Sequence, residues 1–267
     1  MPETRIAAML LAAGRGERMR PLTDLTPKPL LPLRGKPLMQ WAMEALARGA
    51  CSRLVVNTAW LGEQIEQTFG GVFAPPLARP DERFSNPESM QIRYSREGQD
   101  FGGALETAGG IVRALPLLCP AGATRPGFGV FWLLASDVFA PDFVFSRTAV
   151  QRFADSGKLA HIWLVPNPAH KPFGDFGLGS DGLARNRAEV TYTYSTIGLY
   201  SRKLFESPWC DIPAGNPQGV KAPLAPLLRA AMDNALVSAE LYLGAWTDVG
   251  TPERLQQLNQ MTKLDKL

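Results

Sequence analysis

The chain has 267 residues, 45% of them apolar and 20% charged. That supports a sizeable core in one large domain or two small ones and excludes a disordered chain. The 28 Lys and Arg against 25 Asp and Glu leave a net charge of +3, too balanced for duplex nucleic-acid binding by phosphate neutralisation but compatible with a local basic pocket for a small anion. Cys51, Cys119 and Cys210 are scattered and odd in number, and His161 and His170 are the only histidines. A disulfide scaffold and a multi-histidine metal site are therefore not expected, and a reducing compartment is. No apolar run reaches the roughly 18 residues of a membrane span. The apolar stretch before Gly14-Arg15-Gly16 lacks a cleavage site, so a cytoplasmic location without a signal peptide is expected.

In chain order, residues 6–13 read as a short buried strand closed by glycines. Residues 37–48 place Leu38, Trp41, Ala42, Ala45 and Leu46 at helical spacing, with Gly49 as a stop. A strand at 54–56, a helix at 61–69, a strand at 91–95, a helix at 105–115 and an apolar strand at 130–135 follow. This alternation predicts a parallel sheet with helices on both faces. Beyond residue 137 the pattern loosens: a strand at 162–165, a hairpin turned at Asp181-Gly182, a strand at 194–200, a helix at 222–232, a strand at 237–243 and a helix at 252–261 with Thr251 as its cap. Residues 73–90 and 119–128, rich in proline, read as surface loops. Neither divides the chain, so 1–267 is expected to be one domain.

The densest chemical signal follows the first strand. Ala12, Ala13, Gly14 and Gly16 are small enough for the backbone to approach an anion and aim N–H groups at it. Arg15, Arg18 and Arg20 follow, then Lys28 between two prolines. Arginine suits bidentate phosphate contacts and lysine supplies a point charge, so a polyphosphate is the natural partner. Two familiar phosphate motifs are absent: Met19 breaks a G-x-G-x-x-G, and no Gly-Lys-Ser/Thr occurs. Asp137 ends an apolar strand, where open α/β sheets place ligands. It reads either as a hard oxygen ligand for Mg²⁺ or as a turn or N-cap aspartate. Asp248 alone reads as a loop carboxylate near a helix start.

The string Gly14-x-Gly16-x-Arg18-x-x-Pro21-Leu22-Thr23, followed by Pro27-Lys28-Pro29-Leu30, resembles the signature of sugar-1-phosphate nucleotidyltransferases, and the resemblance runs from Ile6 to about Leu258. It implies an α/β fold with a Rossmann-like, mostly parallel sheet flanked by helices and a smaller sugar-binding lobe, without a C-terminal β-helix. The nucleotide-binding half would span about 1–140 and the sugar-binding half about 141–250. By matching positions, Arg18 would contact the β- and γ-phosphates and Lys28 the α-phosphate and sugar phosphate. Asp137 and Asp248 would share a Mg²⁺, although Ser136 stands where the family usually has glycine.

The same resemblance assigns nucleotide binding to Ala12, Ala13, Gly14, Arg15, Gly16, Glu97, Glu106, Thr107 and Gly109. Many glucose- and mannose-type relatives carry a Glu-Lys-Pro motif in the sugar lobe, which residues 160–200 lack. That lobe is instead similar to the branch of the family that joins UTP to N-acetylmuramate 1-phosphate in peptidoglycan recycling. Gly174, Asp175, Asn186, Gly198 and Lys221 are the sugar-phosphate candidates, and Asn186, Arg187 and Lys221 also the candidates for the sugar's lactyl carboxylate. The implied reaction is in-line attack of the sugar phosphate on the α-phosphorus with loss of pyrophosphate, driven by positioning and charge neutralisation. Its partners would be two small molecules, an NTP and a sugar 1-phosphate, with no nucleic acid or membrane. A mannose- or glucose-1-phosphate nucleotidyltransferase and a non-catalytic nucleotide-sugar sensor are the alternatives.

Overall fold

Ala8 and Leu10 of the first strand turn to one side and Ala7 and Met9 to the other, and all four are buried. A strand covered on both faces has to lie inside a sheet with a layer on each side. The computed structural model, which describes residues 6–75, 89–120 and 129–261, has that architecture. Its eight-stranded sheet comprises β1 (Ile6–Leu11), β2 (Cys51–Thr58), β3 (Val72–Phe73), β4 (Met90–Arg96), β5 (Val130–Ala135), β6 (Ala160–Val165), β7 (Thr193–Ser201) and β8 (Val237–Leu241), in the order β8-β6-β7-β5-β1-β2-β4-β3. β4, β2, β1 and β5 run parallel, as do β6 and β8. β7 is antiparallel to both β5 and β6, and edge strand β3 is antiparallel to β4. The mostly parallel α/β sheet expected from the sequence is present, and strands from both halves of the chain share it.

The helices are α1 (Leu38–Arg48), α2 (Gly62–Phe69), α3 (Glu97–Phe101), α4 (Glu106–Leu118), α5 (Arg147–Asp155), α6 (Leu224–Asp233) and α7 (Pro252–Gln260). On one face Ile111 and Leu115 of α4 and Leu228 of α6 pack with Met9, Phe131 and Leu133. On the other, Met43 and Leu46 of α1 and Phe153 of α5 pack with Leu10, Trp132 and Leu134. A third cluster joins Met19 and Leu31 to Phe139, Val249 and Leu255. It pins the long loop after β1 against α7.

The elements differ from the sequence reading in instructive places. α5 goes unread because only Ala149, Val150 and Phe153 of its nine residues are buried; its Ser146 cap accepts a bond from Ala149 N at 3.1 Å. α4 continues through Pro116 to Leu118. The hairpin forms as Gly177–Leu178 against Ala184–Arg185, with Gly182 at φ 74°. Phe73 and Met90, at the ends of the first expected surface loop, belong to β3 and β4 and pair with each other. The interiors of the two expected loops, 76–88 and 121–128, lie outside the described residues.

Candidate active site

The site begins at the carboxyl end of β1. The Ala12 N–H donates to Asn57 Oδ1 at 2.8 Å, the Asn57 amide donates to Glu97 Oε1 at 2.7 Å, and the Leu105 N–H donates to Glu97 Oε2 at 2.8 Å. This chain ties β1, β2, α3 and the start of α4 into one wall. Glu97 is fully buried, and burial pushes its carboxyl above the usual range despite the two donors it accepts from. Its oxygens are occupied in shaping the wall. Gly110 is glycine for the same reason, since a Cβ there would sit 2.5 Å from Glu97 Oε1.

Beyond Gly14 the loop reverses at Gly16, which adopts φ 68° and accepts bonds from the Thr23 hydroxyl and the Met19 N–H, both at 2.9 Å. A side chain there would be strained and would press on Thr23. The single helical turn Glu17–Met19 buries Met19 and turns Arg18 toward the cavity. The four cations of this segment then divide. Arg15 donates to Thr23 O and Asp24 Oδ1 at 2.9 Å and stacks 3.7 Å from the Trp60 ring centre. Arg20 also pairs with Asp24, whose carboxyl Arg15 in first place holds below its ordinary range. Arg18 and Lys28 line the cavity.

Lys28 Nζ is ion-paired with Asp137 Oδ2. Asp137 follows β5, and Ser136 bonds through its hydroxyl to Leu11 O at 2.7 Å, locking the ends of β5 and β1 together. Val138–Phe139 then pairs with Thr247–Asp248, and the Val249 N–H donates to Asp137 O at 2.9 Å. This short ladder brings Asp248 beside Asp137. Asp248 Oδ1 accepts from Arg254 at 2.5 Å and lies 3.0 Å from His170 Nε2. Gly250 completes the corner: a Cβ there would lie 3.0 Å from Asp248 Oδ2 and 3.3 Å from Arg18 Nη2.

The donor chemistry fits Mg²⁺. Two hard oxygen donors distant in sequence stand on paired backbone segments, both side chains partly exposed, and the ion typically keeps several waters and takes one or two carboxylates. Among the described residues no group of three or more His, Cys, Asp or Glu is gathered as a denser metal site.

The cavity so built has a volume of about 480 Å³ and includes Ala12, Ala13, Gly14, Arg18, Lys28 and Asp137 in its lining. A second cavity of about 510 Å³ adjoins it, walled by Leu133, Phe176, Tyr194, Leu224 and Leu228, with Lys171 and Asp175 at its polar end. The two share Leu11, Glu106, Thr107 and Thr196. Thr196 stands in the irregular stretch of β7 between Tyr194 and Gly198 at φ 61°, a strained conformation for a β-branched residue.

Not every residue singled out in the sequence lines these cavities. Gly109 is buried against the Val220 carbonyl, 2.4 Å from where its Cβ would be. Gly198 lies within the sheet, paired with Leu133 and Ile162. Gly174 makes a left-handed turn beneath Asn167 and Tyr192. Asn186 clasps α6 through Arg229 O and Asp233 Oδ1, and Lys221 is exposed on the segment that packs on α4. Conversely, Asn57, Thr196, Lys171, His170 and Arg254 come to the site although none is singled out in the sequence; Asn57 and His170 meet partners distant in the chain, whereas Lys171 and Arg254 pair with Asp175 and Asp248 close by in sequence.

The sequence profile of the nucleotidyl transferase family matches residues 7–264, and the chain belongs to that family. It is an enzyme family whose members generally use a divalent metal. The chain is 40% identical over 253 residues, 94% of its length and 95% of the relative's, to the N-acetylmuramate alpha-1-phosphate uridylyltransferase of Neisseria meningitidis serogroup B. It is 38% identical over 259 residues to the UTP–glucose-1-phosphate uridylyltransferase of Synechocystis sp., covering 91% of this chain and 60% of that protein. A Bacillus anthracis structure assigned as a glucose-1-phosphate thymidylyltransferase shares the fold, with a TM-score of 0.70 at 19% identity over 96% of this chain and 94% of that one. Among the described residues no helix is long and apolar enough to cross a membrane.

Proposed function

We propose that this chain transfers a uridylyl group from UTP to N-acetylmuramate 1-phosphate and releases pyrophosphate. The observation that carries the reading is the junction of two cavities at Leu11, Glu106, Thr107 and Thr196, one set with Arg18, Lys28 and Asp137 and the other with mostly apolar walls and the Lys171–Asp175 pair. Its substrates are taken from the relative that matches across the whole chain. The triphosphate lies over Ala12, Ala13, Gly14 and Gly16, with Arg18 on the leaving pyrophosphate. Lys28 exchanges Asp137 for the α-phosphate and the attacking sugar phosphate, so two anions that repel in water are held together. When bound by Asp137 and Asp248, Mg²⁺ would supply charge neutralisation and a fixed orientation for the phosphates.

Glu106 and Thr107 stand at the base and ribose side, and Glu97 acts through Asn57 and Leu105 as a positioning residue. Gly109 serves by admitting the backbone of residues 220–222 close to α4. The acceptor sugar occupies the second cavity beside Asp175. We read the two halves as one domain, because β6, β7 and β8 of the second half continue the sheet that the five strands of the first half begin, and we place the protein in the cytoplasm.

The test is pyrophosphate release with Mg²⁺, crossing UTP, GTP, CTP and dTTP with the 1-phosphates of N-acetylmuramate, N-acetylglucosamine, glucose and mannose. Selective turnover of UTP with the muramate sugar is expected. Preference for another pair would keep the chemistry and replace the substrate. Tight nucleotide-sugar binding without turnover would make the protein a sensor.

A further inference from the structure

We propose that Lys171 selects for an acceptor carrying a carboxylate on its sugar ring, an assignment that rests on the reading above. Among the described residues lining the second cavity, Lys171 is the only cation. Leu133, Phe176, Leu224 and Leu228 form the apolar walls around it, with Asp175 and Glu106 as the carboxylates of the lining. An ammonium beside apolar walls is screened by solvent from one side only, so it attracts an anion somewhat more strongly than one in open water.

The geometry supplies both a reason for the lysine to stay and the capacity to bind. Lys171 Nζ lies 2.6 Å from Asp175 Oδ2, and the same oxygen accepts the Tyr194 N–H at 2.9 Å. The backbone of β7 thus fixes Asp175, and Asp175 aims the ammonium. An ammonium has three donors. One is engaged by Asp175, and two remain for a ligand carboxylate. The lysine side chain is 43% exposed, so it is within reach of a ligand and outside the core. Among the described residues no other basic or amide side chain is in the lining of this cavity. Asn186 is bonded to Arg229 and Asp233, and Arg229 lies 5.0 Å from the Phe176 ring centre. Lys221 and Arg187 do not line the cavity. A hydroxyl of a neutral sugar can accept a hydrogen bond from Lys171, but a lactyl carboxylate gains the attraction of opposite charges as well.

The experiment compares kcat/KM for N-acetylmuramate 1-phosphate and for N-acetylglucosamine 1-phosphate, which has the same ring without the lactyl carboxylate, at saturating UTP. It uses the wild type, Lys171→Met and Lys171→Arg. Lys171→Met keeps an apolar side chain of similar length. It is expected to lower the muramate-to-glucosamine ratio by about 10- to 100-fold, the worth of hydrogen bonds to a charged group. Lys171→Arg is expected to restore most of that ratio. An unchanged ratio in Lys171→Met would place the carboxylate elsewhere and overturn the assignment. Equal losses with both acceptors would overturn it too, since Lys171 would then be serving the shared phosphate or the loop. A wild type that turns over no N-acetylmuramate 1-phosphate would sink the functional reading itself, and this assignment with it. A wild type that does so with an unaltered ratio in the variant sinks only the assignment.

Discussion

The two adjoining cavities are nearly equal in size, about 480 and 510 Å³, yet are made from different materials. The first is assembled from backbone at the end of β1, with Arg18, Lys28 and Asp137 set around it. The second is assembled from the apolar side chains of β5, β7 and α6 around one ion pair. Backbone amides and fixed charges suit a phosphate chain, which is the same in every nucleoside triphosphate. Shape and a lone ion pair suit a ligand that has to be told from its analogues. Damage to the first cavity should therefore appear in kcat with every acceptor, and damage to the second in the choice among acceptors.

The largest effect should come from the Lys28–Asp137 pair. Removing a group that stabilises charge in a transition state typically costs about a hundred- to a thousandfold in rate. Lys28→Ala and Asp137→Ala are each expected to lose at least that much pyrophosphate release with all acceptors tested. Both residues lie at the cavity rather than in the core clusters, so circular dichroism and cooperative thermal unfolding should be retained. An Asp137→Ala enzyme within tenfold of wild type, with the same Mg²⁺ dependence, would mean that the reaction occurs elsewhere.

The same contrast in materials explains what could be read from the sequence. The first cavity depends on residues 11–30, a continuous stretch whose glycines, prolines and cations announce an anion site on their own. Even there, composition alone does not separate Arg15 from Arg18. Arg15 is diverted by Asp24 and by Trp60, which comes 45 residues later in the chain (60 − 15). The second cavity has no such segment. Phe176, Tyr194 and Leu224 look like ordinary core residues in the sequence, and only the sheet order, with β7 inserted beside β5, brings them to one wall. Asn186 and Lys221 are suitable in residue type, but the α6 clasp and the packing on α4 direct them away. Helix α5 was illegible for a related reason: a helix covering one corner of a sheet needs few apolar residues.

Glu97 gives a sharper test of the wall between nucleotide and protein. In Glu97→Gln one amide N–H faces either the Asn57 amide or the Leu105 N–H, a donor against a donor. That mismatch costs about 1–3 kcal/mol, and the displaced wall is expected to raise the KM for UTP about tenfold with a smaller change in kcat. The pH dependence has a definite sign. Burial raises the folded-state pKa of Glu97 above the 4.5 of an ordinary glutamate. The stability linked to its proton is therefore fully present below pH 4.5 and is lost as pH rises through the folded value. The Gln variant has no such titration, so its deficit in Tm relative to wild type should shrink as pH rises. Thermal melts from pH 4 to 8 measure this, and a deficit that widened with pH would mean the carboxylate is stabilised in its charged form.

Thr196 should give the smallest effect and the finest test, because it belongs to both cavities. Its left-handed φ of 61° is one that β-branched side chains resist, at a cost of about 1–3 kcal/mol. Glycine adopts that conformation freely but adds about 0.5–1 kcal/mol of freedom to the unfolded chain. The difference favours Thr196→Gly by about 1 kcal/mol, or a rise in Tm of about 2–4 °C for a chain of this size. The same change removes a side chain that lines both cavities, so turnover should fall several-fold with muramate and glucosamine acceptors alike. A variant both more stable and less active would show backbone strain retained in the service of the junction. A drop in Tm would show instead that the threonine side chain stabilises the irregular stretch of β7, and the strain argument would fail.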